Sequence, residues 1–286
     1  MLRRSTWIFT VCILFSMGLC FVGQRLLYEY LEESQAHFIA ENPYFVTLGR
    51  LQNVEDLKGD AVILGSSMTE RLQSSDSVSV IGVPGSSFLG GMLFLKKCRF
   101  KPGTVAVVEG NLITSGTNAG VIRDTEKWDF RLFQGSRHFS IRSKPSSLLL
   151  TFLYDKLLSH AGADRADSCF DEEGFHPERE VHSGGAGAPD GRLNAVMQGI
   201  QDLQKQGFRP CIVWYPTHLP ESDDTRRNRS VCMEAAARTG VPFLDYSDAP
   251  FKDRLRFTDT HHLKSTARET STFRNTIARD AMKASR

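Results

Sequence analysis

Apolar and polar positions divide this chain into two regimes. From Ser5 to Gly23 it is uncharged and mostly apolar, with Arg3 and Arg4 ahead of the run and Gln24 and Arg25 behind it. A helix needs about 20 apolar residues to cross a bilayer, so the run is just long enough. The basic flank favours a cytoplasmic N-terminus and puts the rest of the chain outside the cytoplasmic membrane, in a periplasmic setting. A cleaved signal peptide is the competing reading. However, "SMGLCFVG" has no small-x-small site at the end of the run, and Leu19-Cys20 matches a lipoprotein site only loosely. The expectation is a single-pass anchor over residues 1–23, with cleavage left open. Residues 24–58 read as a stalk and approach to the globular part, beginning as an amphipathic helix that ends near Asn42-Pro43.

Beyond the stalk the pattern changes. Short apolar runs recur as "AVILG" at 61–65, "VSVIG" at 78–82, "TVAVVEG" at 104–110, "CIVWYP" at 211–216 and "PFLDY" at 242–246. Continuous apolar runs of this length mark strands buried on both faces of a parallel sheet. Helical patterns lie between them, over roughly 87–98, 147–160, 191–207, 225–239 and 263–283, by their spacing of three and four residues. Alternation of strand and helix predicts an open α/β sheet with helices on both faces, occupying residues 59–286. The stretch 115–146 is less regular. Residues 161–191 are rich in Gly and charge and read as a long loop or lid.

Composition changes this picture little. With 286 residues, 41% hydrophobic and 24% charged, the chain is ordinary for one large domain with a real core. A net charge of +2 argues neither for nor against a nucleic-acid partner; the lack of basic runs interleaved with aromatics argues against one. The six cysteines follow no metal spacing. An extracytoplasmic setting would permit a disulfide among Cys98, Cys169, Cys211 and Cys232, but the sequence does not pair them.

In open α/β sheets the ligand site lies outside the carboxyl ends of the strands. Here those ends read "GSS", "GVPGSS", "EGN" and "YPTH", so small and polar residues converge at that edge. Each has a plain structural role as an alternative. Ser66 or Ser67 would cap a helix, Gly85 and Asn111 would serve in turns, and Trp214, Tyr215 and His218 would pack the core and its loops.

Taken together, Gly65-Ser66-Ser67, Gly82 with Gly85, Gly110-Asn111 and Asp259-Thr260-His261-His262 resemble the SGNH (GDSL-like) hydrolase family, in its membrane-anchored bacterial envelope form. The resemblance spans residues 60–275 and implies a flavodoxin-like three-layer α/β/α fold with a parallel sheet. "ILGSSMTERL" is similar to the first family block, with Ser66 where Asp is commoner, and makes Ser67 the nucleophile. "VIGVPGSS" is similar to the second block and points to Gly85. "VVEGNLI" is similar to the third and points to Asn111, with Leu112 where an Asp often follows. "DTHHLKS" is similar to the Asp-x-x-His block and gives Asp259 and His262, with His261 the rival histidine.

The chemistry of these residue types agrees. A serine hydroxyl needs a base to take its proton. An imidazole, whose reference pKa is ~6.5, is suited to that work. Asp259, three residues before His262, would orient the ring. The backbone N–H groups of Ser67 and Gly85 and the Asn111 amide would face the oxyanion. Glycine at 85 would leave room for substrate, and a helix starting at Ser67 would add its own N–H groups. The expected activity is that of a serine esterase forming an acyl-Ser67, without cofactor or metal. Its expected substrates are O-acyl groups of envelope glycans, acetyl above all, or a small ester, with Trp214, Tyr215 and His218 as substrate contacts. The alternatives are an O-acetyltransferase with the same site, a lipid-directed esterase, and a catalytically silent glycan-binding module.

Overall fold

The computed structural model describes residues 2–33, 43–52, 54, 59–96, 98–134, 136, 138–140, 143–160, 189–218, 222–257, 262–264 and 268–286. Its first elements are α1 (Leu2–Glu33), α2 (Pro43–Gln52), β1 (Ala61–Gly65), α3 (Ser67–Glu70), β2 (Val78–Gly82), α4 (Phe88–Leu95), β3 (Val105–Glu109) and α5 (Ala119–Asp124). They are followed by α6 (Trp128–Leu132), α7 (Pro145–His160), α8 (Pro189–Lys205), β4 (Arg209–Trp214), α9 (Asp223–Thr239), β5 (Phe243–Asp245) and α10 (Arg268–Ala284). The chain forms two compact units. One comprises residues 1–53 and 128–168; the other comprises 54–127 and 169–286.

The larger unit is an α/β sheet of five parallel strands in the order β2-β1-β3-β4-β5. β1 and β3 are buried at every position, which is why the sequence shows them as unbroken apolar runs. Alternate residues point to opposite faces. Ala61, Ile63, Val105, Val107, Cys211 and Val213 form one core with Phe273, Ile277, Ala278 and Ala281 of α10. Those four recur on one stripe of the helix, as an amphipathic helix against a sheet requires. On the other face, Gly91 of α4 packs onto Leu64 and Ile81, and Cys232 of α9 and Trp214 both lie against Gly110. The expected strands are all present, with ends shifted by a residue or two. α5 and α6 fall in the stretch 115–146 that showed no clear period.

The strand order fixes where a site belongs. The chain leaves β1 for β2 on one side and then continues through β3 to β5 on the other, so the order reverses between β1 and β3. Ligands of open α/β sheets bind at that switch point, outside the carboxyl ends. The residues that follow these two strands are Ser66-Ser67 and Gly110-Asn111.

In the smaller unit, α1 is one unbroken 32-residue helix, so the apolar run and the first part of the stalk form a single element. Its stretch Thr6–Leu31 is long and apolar enough to cross a membrane. Leu27, Tyr28 and Leu31 pack with Leu148 and Phe152 of α7. The buried Gln52 side chain donates to the Phe130 carbonyl at 3.0 Å. Pro43 opens α2, a helix not foreseen in the stalk. Proline suits a first helical position because the N–H it lacks would have no partner there.

Candidate functional site

β1 ends in a turn built for close approach. A Cβ on Gly65 would sit 2.2 Å from Thr69 Oγ1 and 2.3 Å from Glu109 Oε2, so only glycine fits. Ser66 follows as the N-cap of α3. It is fully buried, and its Oγ accepts from the Met68 N–H at 3.1 Å. Ser67 opens α3 half-buried, with its Oγ 2.8 Å from His262 Nε2. The two adjacent hydroxyls therefore separate cleanly, Ser66 into the structure and Ser67 toward the imidazole. α3 has only four residues, so it carries too short a row of aligned peptides for the helix-terminus effect expected of it.

Beneath this turn lies a carboxylate that sequence reasoning passed over. Glu109, the last residue of β3, is 1% exposed. Its Oε1 accepts the Ser66 hydroxyl at 2.6 Å. Its Oε2 accepts the Ser66 N–H at 2.9 Å, the Thr69 N–H at 3.1 Å and the Thr69 hydroxyl at 2.6 Å. A buried charge is tolerable only when it is hydrogen-bonded in this way. Tyr215 completes the network, with its hydroxyl 3.2 Å from Thr69 Oγ1. Because Thr69 spends its hydrogen on Glu109, Tyr215 donates. Burial, and secondarily the Glu109 charge, hold the Tyr215 phenol well above its ordinary pKa, so it stays protonated. The available signal was a lone charged residue closing an otherwise apolar, two-face-buried run, "VAVVEG".

His262 is held from both sides. Leu263 is buried in the sheet core and bridges Phe257 in antiparallel fashion. The Lys264 N–H donates to the Arg256 carbonyl at 2.8 Å. Thr270 of α10 donates to the Lys264 carbonyl at 2.7 Å. Farther along α10, buried Arg274 donates to the carbonyls of Leu72 and Gln73, at 3.4 and 3.1 Å. α10 is thus tied both to the loop that carries His262 and to the turn that follows Ser67. For Nε2 to receive the Ser67 proton, the neutral ring must carry its hydrogen on Nδ1. Asp259, the expected acceptor there, lies outside the described residues, as does His261.

Asn111 sits at the switch point and is buried, but its amide is already engaged. Nδ2 donates to the Tyr215 carbonyl at 3.0 Å, and Oδ1 accepts the Tyr215 N–H at 2.8 Å. The side chain thus extends the pairing of β3 with β4 by one rung. Nδ2 carries two hydrogens, and one of them is committed to this clamp. Gly85 lies in the turn after β2 at φ +68°, a conformation that favours glycine. A Cβ there would meet nothing nearer than Asn118 Nδ2 at 3.9 Å, so backbone conformation rather than lack of room is the reason for glycine.

The expected substrate contacts Trp214 and Tyr215 are core residues instead, each 1% exposed. Tyr215 packs edge-on against Phe273 with ring centroids 5.5 Å apart. Strand alternation buries both because β4 is covered on both faces. His218 is exposed, with its ring 5.8 Å from that of Phe257. Cys98, Cys211 and Cys232 are free thiols in the interior, and Cys169 lies outside the described residues. Residues 161–188 of the expected lid also lie outside them, and 189–191 begin α8. Among the described residues no three His, Cys, Asp or Glu side chains gather as metal ligands would. Comparison with family models, curated proteins and solved structures gives no match to this chain.

Proposed function

We propose that this protein is a membrane-anchored serine hydrolase of SGNH type that forms an acyl-enzyme on Ser67. The observation that carries the reading is the 2.8 Å separation of Ser67 Oγ and His262 Nε2, at the carboxyl edge of the sheet beside its switch point. In the proposed reaction His262 takes the Ser67 proton as Oγ attacks an ester carbonyl. The tetrahedral oxyanion is met by the Ser67 and Gly85 N–H groups and the second Asn111 amide hydrogen. His262 then returns the proton to the departing alcohol, leaving acyl-Ser67. Water, or a sugar hydroxyl in a transferase variant of the same site, gives its proton to His262 and takes the acyl group, and His262 returns that proton to the departing Ser67 Oγ. The catalytic unit lies outside the cytoplasmic membrane, and α1 is its uncleaved anchor. Contacts of Phe21, Gln24 and Leu27 with residues 138–148 support retention of the helix.

Acetyl esters of envelope glycans are the proposed substrates, on the strength of the membrane anchor and the family resemblance. The test is to supply the full-length protein with acetylated glycan fragments, and separately with an acetyl donor and bare fragments. Free acetate and acetylated glycan are then followed by mass spectrometry. Acetate or new acetyl-glycan that is absent with Ser67→Ala is expected. Activity that survives in Ser67→Ala would overturn the reading.

A further inference from the structure

The unit that contains α1 leaves large apolar side chains of α6 and α7 uncovered. Trp128 and Leu132 of α6 are 75% and 64% exposed. Leu149, Leu150, Leu153 and Leu157 of α7 are 48–68% exposed. At 3.6 residues per turn, these four leucines lie roughly 100–200° around α7 from Leu148, which packs on α1. α7 therefore has one apolar stripe for α1 and a second stripe without a described protein neighbour. Exposed apolar surface of this kind marks an interaction site.

Contacts with α1 fix the height of this surface. Arg25 is the first charge beyond the apolar run, which sets the edge of the hydrocarbon near Gln24. The Gln24 amide donates to the carbonyls of His138 and Ser143, at 3.0 and 2.8 Å. One turn deeper, Phe21 packs edge-on against Phe139 with centroids 4.9 Å apart. Phe139 lies 5.8 Å from Phe133, the residue that follows α6. α7 begins two residues after Ser143 and meets α1 at Leu27, Tyr28 and Leu31. The end of α6 and the first turn of α7 thus start from the level at which α1 leaves the apolar layer, and Phe152 and Lys156 of α7 reach Tyr30, about 9 Å farther along α1. That level takes up tryptophan and leucine faces readily, and cationic side chains such as the exposed Arg131 and Lys144 suit anionic headgroups.

We propose that α6 and α7 lie in the interfacial zone of the leaflet from which α1 emerges, so that lipid covers the Trp128, Leu132 and α7 leucine face. α1 then acts with a monotopic collar rather than as a simple tether. This inference rests on α1 spanning a bilayer and is independent of the proposed chemistry at Ser67.

The test uses the full-length protein in phosphatidylethanolamine–phosphatidylglycerol vesicles that carry a lipid with a diazirine on its acyl chain. After irradiation, lipid adducts are mapped by peptide mass spectrometry. Peptides holding Trp128–Leu132 and Leu149–Leu157 should carry adducts several-fold above α9, whose exposed Met233 serves as the soluble control. The double variant Leu153→Glu/Leu157→Glu should lose the α7 adducts and keep those on α1. Adducts confined to α1 would overturn the proposal. Absence of adducts from α1 would overturn both the collar and the anchor. None of these outcomes bears on whether Ser67 reacts.

Discussion

Ser66 directs its hydroxyl inward to Glu109 Oε1 at 2.6 Å, while its neighbour Ser67 faces His262. That pairing assigns the two serines different tasks, and it ties the end of β3 to the turn after β1 on either side of the switch point. The turn holds its shape because a buried charge demands four donors and the turn supplies all of them.

Substitution of the two serines should therefore separate chemistry from stability. Ser67→Ala should lose turnover of a chromogenic acetyl ester by several orders of magnitude, as loss of a nucleophile does, with an unchanged thermal midpoint. Ser66→Ala removes the helix cap and one donor to Glu109. Expected is a loss of about 1–3 kcal/mol in stability, the usual cost of stranding part of a buried polar group. Residual turnover in Ser66→Ala should stay well above that of Ser67→Ala. Urea melts and steady-state assays of both variants decide this.

Glu109→Ala would leave two hydroxyls and two N–H groups without their shared acceptor. A single hydrogen bond to a charged group contributes about 1.5–3 kcal/mol, so this variant should unfold at markedly lower urea than wild type. Glu109→Gln keeps an acceptor oxygen and should retain more stability. If the network positions Ser67, kcat should fall in Glu109→Gln while KM stays close to wild type. A melt of Glu109→Ala that matches wild type would remove the network from the structural account.

Asn111 serves the sheet and, as proposed, the oxyanion. Asn111→Ala should cost stability through the lost clamp on Tyr215, and should lower kcat by roughly a hundredfold or more, as for other side-chain donors. Asn111→Asp keeps the acceptor for the Tyr215 N–H but loses both donor hydrogens. Its kcat should therefore fall as far as that of Asn111→Ala. Unchanged kcat in both variants would leave Asn111 a purely structural residue.

Alkaline pH should destabilise the sheet unit. Burial raises the Cys211 thiol from 9.0 to about 12, and burial likewise raises Cys232, Tyr215 and Tyr246. The folded state thus holds these protons more tightly than the unfolded chain does. Their contribution is fully present below pH 9 and is lost as pH rises from there toward 12. The urea midpoint should decline over that window, and less steeply in Cys211→Ala. An equal decline in Cys211→Ala would mean that this thiol does not contribute.

The strands were legible because burial on both faces leaves unbroken apolar runs, and α10 was legible because Phe273, Ile277 and Ala281 recur at helical spacing. The Ser67–His262 pair was also legible, through motif order. Glu109 was missed because its role depends on donors 40 and 43 residues away, which no local pattern reveals. Trp214 and Tyr215 were misplaced for a related reason. Residues at the end of a strand can lie at a site or under it, and that depends on the helix packed above them. α6 is short, and its Trp128 and Leu132 leave no long period to detect.

The most direct measurement of the central claim is covalent capture of the nucleophile. Full-length protein is treated with a fluorophosphonate probe and the modified peptide is mapped by mass spectrometry, in parallel with Ser67→Ala, Ser66→Ala and His262→Ala. Expected is a single adduct on Ser67, absent from Ser67→Ala, strongly reduced in His262→Ala and retained in Ser66→Ala. An adduct on Ser66, or no adduct while an acetyl ester is still turned over, would contradict the assignment of Ser67.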